Sequence, residues 1–183
     1  MKKLFVLSVA ALGLMMGVAN AAEKKFDGFY LGGGASYSKA EADDFSDEPF
    51  GGYVLGGYGK QFDKWYLGGE IKGGYAKTEL GDAAGSVERD LTYGVAARAG
   101  YEVMPGILGY GLVGLEGASA KVKTATGSAD VMDYGIRYGI GAEAFVAKNW
   151  TVRSEVSLIE WTGKDEAPQS DEIRATVGVG YHF

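Results

Sequence analysis

The chain has 183 residues, of which 31 are glycine and 12 are tyrosine, and it contains no cysteine. Its formal net charge is −6, so it has no electrostatic basis for binding nucleic acid. The lack of cysteine excludes a disulfide scaffold, and glycine and tyrosine are abundant where a globular core would use leucine and isoleucine.

The first 21 residues have the three parts of a cleaved secretory signal. Met1-Lys2-Lys3 is cationic, residues 4–18 are mostly apolar, and Ala19-Asn20-Ala21 is a small-residue cleavage site. The alternative is an uncleaved anchor helix, which needs about 20 apolar residues and is therefore disfavoured by the shorter run. We expect residues 1–21 to be a signal peptide and residues 22–183 to form the exported domain.

After the signal, apolar residues alternate with polar or small residues, and no helical period intervenes. A period of two is typical of β-strands with one apolar and one polar face. Each repeat is about ten residues long, which is the length that a tilted strand needs to cross a bilayer. The predicted strands are 29–38, 51–62, 65–76, 90–101, 107–118, 134–145, 150–161 and 172–183.

Two of these strands leave the direction of their side chains open. The second is so rich in glycine that its parity is uncertain. The fifth is oriented by one residue, Glu116, which we place facing away from lipid. The last strand is the clearest, because its apolar face is unbroken up to the terminal aromatic. That face consists of Ile173, Ala175, Val177, Val179, Tyr181 and Phe183.

The connections between strands alternate in length. Tight turns lie at 62–65, 104–106 and 147–149, and longer polar connections span 39–50, 77–88, 119–133 and 162–171. This asymmetry is typical of bacterial outer-membrane barrels, whose long loops face outward. A soluble lipocalin-like barrel also has eight strands, but the export signal and terminal aromatic favour a membrane barrel. We predict an all-β, eight-stranded, antiparallel up-and-down transmembrane barrel.

Four short motifs occur in order along these strands. They are Ala97-Arg98-Ala99-Gly100-Tyr101, Gly139-Ile140-Gly141-Ala142-Glu143, Asn149-Trp150-Thr151-Val152-Arg153-Ser154-Glu155 and Gly178-Val179-Gly180-Tyr181-His182-Phe183. Together they resemble the eight-stranded outer-membrane barrel family that includes the outer-membrane protein A transmembrane domain and opacity-like surface proteins. The resemblance covers residues 26–183.

The resemblance implies a single-domain, monomeric protein in the outer membrane of a Gram-negative bacterium. It also implies partners during biogenesis, namely periplasmic chaperones and the barrel-assembly machinery. In such proteins the terminal aromatic strand is the signal that this machinery reads. Here that strand would present Phe183, Tyr181, Val179 and Val177.

The polar parity of the strands places many charged side chains inside the barrel. Eight strands enclose a space that side chains can fill, so these charges should pair with one another, and the lumen glycines would make room for them. We interpret this network as a structural plug, and the alternative is a narrow gated conduit for ions or small solutes. The predicted network is Glu70, Lys72, Arg98, Glu116, Arg137, Glu143, Arg153, Glu155 and Arg174.

The sequence gives little support to catalysis. Its one histidine, His182, lies on the inward parity, where a hydrogen-bonding role is expected rather than general-base catalysis. Residues 109–114 match a dinucleotide fingerprint, but no helix follows them. We expect no enzymatic activity, no cofactor and no metal site.

Two of the long connections are acidic. Their carboxylates are Glu41, Asp43, Asp44, Asp47 and Glu48 in the first, and Asp165, Glu166 and Asp171 in the fourth. Such charge is commonly solvated loop surface. Alternatively, these groups share divalent cations with the phosphates of lipopolysaccharide, or the loops adhere to other cells. We therefore expect outer-membrane lipid and lipopolysaccharide to be the partners of the folded protein.

Overall fold

Antiparallel strands account for most of the residues that a computed structural model of the chain describes. Those residues are 25–42, 45–47, 50–82, 85–124, 127–162 and 170–183, with side chains described for 25–39, 50–75, 91–119, 132–162 and 171–183. The strands are β1 Gly28–Ala42, β2 Phe45–Asp47, β3 Phe50–Phe62, β4 Trp65–Asp82, β5 Gly85–Met104, β6 Ile107–Thr124, β7 Gly127–Phe145, β8 Trp150–Trp161 and β9 Ser170–His182. The predicted signal peptide lies outside the described residues.

The sheet closes on itself, because the last strand pairs with the first. Strand β9 is antiparallel to β1 from Tyr30↔His182 to Glu41↔Asp171, and the other long strands pair in chain order. The three-residue β2 pairs with the end of β1 and extends it beyond the cylinder. The eight long strands therefore form the predicted antiparallel barrel, which has no open edge. Within the described ranges, no helix has the length and apolar character needed to span a bilayer.

Three of the four connections predicted as long loops are mostly strand. In the first, β1 continues to Ala42 and β2 covers Phe45–Asp47. Strands β4 and β5 stay paired up to Asp82↔Gly85, and β6 and β7 stay paired up to Thr124↔Gly127. The expectation was wrong because these segments are rich in polar residues, which indicates exposure to water but does not prevent strand pairing. The valine and threonine residues of the second and third favour an extended backbone.

Strands β5 and β6 also stay paired, up to Gly85↔Thr124, whereas β3 pairs with β4 only up to Gly51↔Ala76. The two hairpins therefore project beyond the cylinder together, as one four-stranded ribbon.

Irregular register marks the place where the apolar cylinder becomes the polar ribbon. The β4–β5 pairing shifts between Tyr75 and Thr78, and the β5–β6 pairing shifts between Arg89 and Thr92. Tyr75 and Leu91 are the last apolar residues on the outer face of their strands before the shift. A bulge twists and redirects a strand, so the ribbon can leave the cylinder at a new angle.

The opposite end of the barrel has the predicted tight turns. Asp63 and Lys64 join β3 to β4, Pro105 and Gly106 join β5 to β6, and residues 146–149 join β7 to β8. Asp63 and Gly106 have φ values of 55° and 75°, which a tight reversal of this kind requires. We call this the short-turn end and the opposite one the loop end.

The outer face is apolar and the inner face is polar, as the alternation predicts. The structure also gives the side-chain direction of the two strands for which the sequence left it open. Val54 and Tyr58 of β3 point outward, and Glu116 of β6 points inward. At the short-turn end, outward aromatics pack in pairs. They are Phe29–Tyr58 at 4.9 Å between centroids, Trp65–Tyr101 at 5.1 Å, Trp150–Tyr181 at 5.2 Å and Tyr181–Phe183 at 5.2 Å. Such a girdle is typical of a membrane interface.

Several glycines on the inner face make room for tyrosine rings. A Cβ added at Gly59 would overlap the ring of Tyr66. The same relation links Gly57 to Tyr30, Gly141 to Tyr110 and Gly178 to Tyr53. The sequence analysis assigned this space to charged side chains, and Gly94, which faces Glu116, is one case that fits. Most of these glycines therefore specify where rings lie in the lumen.

Substitution of Gly59 by alanine should destabilise the barrel. The added methyl group overlaps the buried ring of Tyr66, and such overpacking costs about 1–3 kcal/mol. Urea unfolding of the protein in lipid vesicles, followed by tryptophan fluorescence, measures the change. The matched control is Gly69→Ala on the outer face, where a Cβ meets nothing within 4 Å. Equal midpoints for the two variants would contradict this packing.

Candidate functional site

The lumen is the most elaborate polar arrangement among the described side chains. All nine charged residues predicted for it lie on the inner face, and each is at most 8% exposed. Six of the eight long strands contribute to it. They supply Glu70 and Lys72 from β4, Arg98 from β5, Glu116 from β6, Arg137 and Glu143 from β7, Arg153 and Glu155 from β8, and Arg174 from β9.

One layer of ion pairs lies toward the short-turn end, which we call the lower layer. Arg98 contacts Glu143 at 2.9 Å and Glu70 at 3.4 Å. Arg153 contacts the same carboxylate of Glu70 at 2.7 Å and Glu155 at 3.3 Å. Two guanidinium groups thus share one carboxylate across the barrel, which ties β4, β5, β7 and β8 together. Charge-assisted hydrogen bonds of this kind are the strong class.

Tyrosines complete the lower layer. The guanidinium carbon of Arg98 lies 3.9 Å from the ring centroid of Tyr110, close enough for a cation–π interaction. Arg153 donates to the Tyr110 hydroxyl at 3.2 Å, and that hydroxyl donates to Glu155 at 3.3 Å. Tyr30 donates to Glu70 at 3.3 Å and accepts from Arg98 at 3.1 Å. These tyrosines were absent from the predicted network, although their inward parity was available as a signal.

A second layer, which we call the upper layer, lies toward the loop end. Arg174 pairs with Glu116 and, at 2.8 Å, with Glu172. Glu172 also accepts a hydrogen bond of 3.1 Å from the indole nitrogen of Trp161. Arg137 lies 3.5 Å from Glu116. Glu172 is 5% exposed and was missing from the predicted network, although it lies on the same parity as Arg174.

The junction between the two layers is looser than either layer. Arg137 of the upper layer and Glu155 of the lower layer are 3.9 Å apart, which is an ion pair but not a hydrogen bond. Within the described part of the chain, Glu155 Oε1, Glu116 Oε2, and Arg137 Nε and Nη1 have no hydrogen-bond partner. Lys72 lies beside this junction with its ammonium 5.4 Å from the ring centroid of Tyr53.

The short-turn mouth is closed by a residue that precedes the first strand. Phe26 is fully buried, and its ring centroid lies 4.8 Å from Phe145, 5.8 Å from His182 and 6.5 Å from Tyr66. Its backbone N–H donates to the side-chain oxygen of Gln61 at 2.9 Å. This closure was not predicted, because one apolar residue before a strand forms no repeating pattern.

His182 connects this closure to the charge network. Its Nε2 lies 2.9 Å from Glu143 Oε1, and its ring stacks on Tyr30 at 5.3 Å between centroids. Glu143 also accepts a hydrogen bond of 2.8 Å from Thr151. The histidine thus lies among aromatic rings and one carboxylate. Among the described side chains, no group of three His, Cys, Asp or Glu residues could hold a metal ion.

The residues proposed as an assembly signal lie at the seam where the barrel closes. Val177 and Val179 point outward from β9 and are 38% and 51% exposed. Tyr181 packs between Trp150 and Phe183 in the aromatic girdle. The backbone N–H of Phe183 donates to the carbonyl of Phe29 at 3.0 Å. The side chain of Phe183 is 70% exposed, so it is available to another molecule.

Comparison with known proteins gives one family model and several relatives. The model, described as an outer membrane protein beta-barrel domain, matches residues 8–183. A 22 kDa outer membrane protein of Rhizobium leguminosarum bv. viciae is 32% identical over 168 residues, which cover 86% of this chain and 78% of that protein.

Solved structures share the fold at lower identity. Ail, the attachment invasion locus protein of Yersinia pestis, superposes with a TM-score of 0.62 at 18% identity, covering 86% of this chain and 100% of that one. Neisserial surface protein A superposes with a TM-score of 0.66 at 14% identity, covering 86% of this chain and 98% of that one. At these identities the likeness concerns the fold alone.

Arg98→Met should leave a protein that folds but is less stable. The substitution removes the cation between Glu70 and Glu143, and breaking a buried pair costs roughly 3–5 kcal/mol. We expect a loss at the smaller end of this energy range, because Arg153 still contacts Glu70 and Thr151 still donates to Glu143. Heat-modifiable gel mobility and urea unfolding in vesicles measure the loss.

A second substitution tests whether the loss comes from this charge pairing. In Arg98→Met/Glu143→Gln the unpaired carboxylate is gone, so the double variant should be more stable than the sum of the two single losses predicts. Strict additivity, or an Arg98→Met midpoint equal to that of the wild type, would contradict the role given to Arg98.

Proposed function

The chain belongs to the outer membrane protein beta-barrel family and is thus an integral protein of the Gram-negative outer membrane, and from this premise we propose that it is a closed barrel with a structural and surface role. The barrel contributes to the integrity of the envelope, and the connections at its loop end make the interactions. The observation that carries the proposal is the filled lumen, with two layers of ion pairs and a fully buried phenylalanine at one mouth.

The filling of the lumen follows from the size of the barrel. Eight strands enclose an interior just wide enough for side chains, and the charged chains, tyrosines and Phe26 occupy it here. A route through the barrel would have to displace Phe26, separate Arg98 from Glu143 and open the upper layer. These contacts support a plug rather than a pore.

A narrow gated conduit is the second candidate, and the junction between the layers favours it. The 3.9 Å separation of Arg137 and Glu155, with neighbouring polar atoms unpartnered in the described residues, is the place where ion pairs could exchange. Such an exchange would open the upper half of the lumen alone. Phe26 would still close the lower mouth.

The proposal includes no catalytic step. The one histidine contacts Glu143 and packs against Phe26, Tyr30 and Phe145, so its ring is enclosed rather than presented to a substrate. General-base catalysis needs a nucleophile within hydrogen-bond reach of the base. The surroundings of His182 support a packing role instead.

Outer-membrane lipid and lipopolysaccharide are the partners in this proposal. The four-stranded ribbon of β4 to β7 extends beyond the apolar cylinder, which places polar backbone in the region of the lipopolysaccharide headgroups. The acidic residues of the first and fourth connections would share divalent cations with the phosphates there. Of these residues, only the side chain of Asp171 is among those described, and it is exposed.

Planar-bilayer recordings should show no large, stable single-channel steps for the wild-type protein. Such steps would make the plug proposal wrong and the conduit proposal right. The quadruple variant Phe26→Gly/Arg98→Ser/Arg153→Ser/Arg174→Ser is the positive control, because it removes the closure of the mouth, the two cations that share Glu70 and the upper-layer cation that pairs with Glu116 and Glu172. We expect it to conduct, provided that its heat-modifiable mobility shows a folded barrel.

Phe183→Ala should reduce the amount of folded protein inserted in cells about tenfold or more, without changing refolding of the purified chain into detergent. Its side chain is 70% exposed and its backbone hydrogen bond survives the substitution, so the folded barrel loses little. Phe62→Ala is the matched control, because Phe62 is an exposed girdle residue outside the last strand. Equal losses for the two variants in cells would contradict an assembly signal at Phe183.

A further inference from the structure

The outer face of the barrel carries a groove across β3, β4, β5 and β6. Its cavity volume is about 640 Å³, which lies within the range of about 300–1,000 Å³ that is usual for small-molecule sites. Two rows of cross-strand neighbours line it. They are Tyr58, Gly69, Ala97 and Val113 in one row, and Lys60, Leu67, Ala99 and Gly111 in the other.

The groove exists because its floor is made of small residues and its borders are large. Gly69, Ala97, Ala99 and Gly111 form the floor. The next row toward the short-turn end contains the Trp65–Tyr101 pair, and the next row toward the loop end contains Ile71, Val95 and Leu115. A Cβ added at Gly69 would meet nothing within 4 Å, so the depression at this point is open space.

The groove slopes from the rim of the barrel into the membrane. Lys60 and Leu67 lie two residues from the β3–β4 turn, whereas Ala99 and Gly111 lie five and four residues from the β5–β6 turn. The end with Lys60 is therefore near the interface marked by the aromatic girdle. The other end lies deeper, between Ala97 and Val113, where lipid chains surround the protein.

Lys60 gives the shallow end of the groove a positive charge. Its side chain is 55% exposed, and its ammonium lies 3.5 Å from Asp27 Oδ2. An ammonium has three N–H donors, so one carboxylate oxygen leaves donors for a second anion. Asp27 also accepts a hydrogen bond from the backbone of Gln61 through its other oxygen. The lysine is thus held at the mouth of the groove while its donors remain accessible.

We propose that this groove binds one glycerophospholipid of the periplasmic leaflet. An acyl chain lies along the floor from Leu67 toward Val113, and the phosphate contacts Lys60. Lys60 lies at the level of the aromatic girdle and the apolar floor extends deeper into the membrane, so charge and apolar depth follow the order of phosphate and acyl chain along a phospholipid. Lipopolysaccharide occupies the opposite leaflet, and its headgroup cannot reach a lysine at the short-turn end.

Native mass spectrometry of the barrel, released from detergent micelles containing palmitoyl-oleoyl phosphatidylglycerol, tests the proposal. The wild type should retain one phospholipid per barrel. Gly69→Leu places a side chain on the floor, where an added Cβ meets nothing within 4 Å, and should reduce retention at least fivefold. Gly73→Leu is the matched control, because it adds the same side chain to the same strand and face, also into open space, but beyond Ile71 and outside the groove. It should retain lipid as the wild type does.

Two further measurements test the phosphate contact separately from the acyl-chain contact. Lys60→Gln should weaken retention of phosphatidylglycerol, and diacylglycerol, which lacks the phosphate, should not be retained by the wild type. The proposal is overturned if Gly69→Leu retains lipid normally, or if both leucine variants lose it equally. It is also overturned if the mass corresponds to a complex of two protein copies that Gly69→Leu abolishes, because a second copy of the protein would then occupy the groove. Heat-modifiable mobility verifies that each variant is folded.

Discussion

Arg98 makes the contacts on which much of the interior depends. From the middle of β5 its guanidinium group reaches Glu70 of β4, Glu143 of β7, the hydroxyl of Tyr30 on β1 and the ring of Tyr110 on β6. A cation in a space closed to water is stable only when such partners surround it. The closed sheet creates that space, and the partners come from strands far apart in sequence. The charge network and the closed barrel therefore require each other.

Tyrosine combines two properties that this arrangement needs and that neither a charged nor an aliphatic residue has together: a bulky ring and a hydrogen-bonding hydroxyl. Each inward tyrosine lies against a glycine of the wall, so the ring adds bulk without widening the cylinder. Its hydroxyl then joins the ion pairs, as Tyr110 does between Arg153 and Glu155. The pairing of glycine with tyrosine on the inner face thus has one physical cause. A narrow polar lumen needs rings that are both packed and hydrogen-bonded.

The architecture and the lumen face could be predicted because strand periodicity decides which side each residue occupies. Arg137, Glu143, Arg153 and Glu155 were placed correctly by parity alone. Their partners could not be predicted, because pairing depends on cross-barrel distances that alternation does not contain. The position of Phe26 could not be predicted, because it belongs to no repeating pattern. The four-stranded ribbon was predicted as loops, because polar residues indicate exposure to water but do not indicate backbone conformation. The groove at Gly69 could not be predicted, because its two rows are defined only by the registers of three strand pairs together.

The position of Phe26 determines when the lower mouth can close during folding. Its contacts reach Phe145 on β7 and His182 on β9, at separations that span most of the chain. Contacts between such distant residues form late, because the intervening chain must be ordered first. The pocket for this ring is incomplete until β9 has joined β1. The barrel is therefore sealed on the periplasmic side by its earliest described residues only after its final strand has docked.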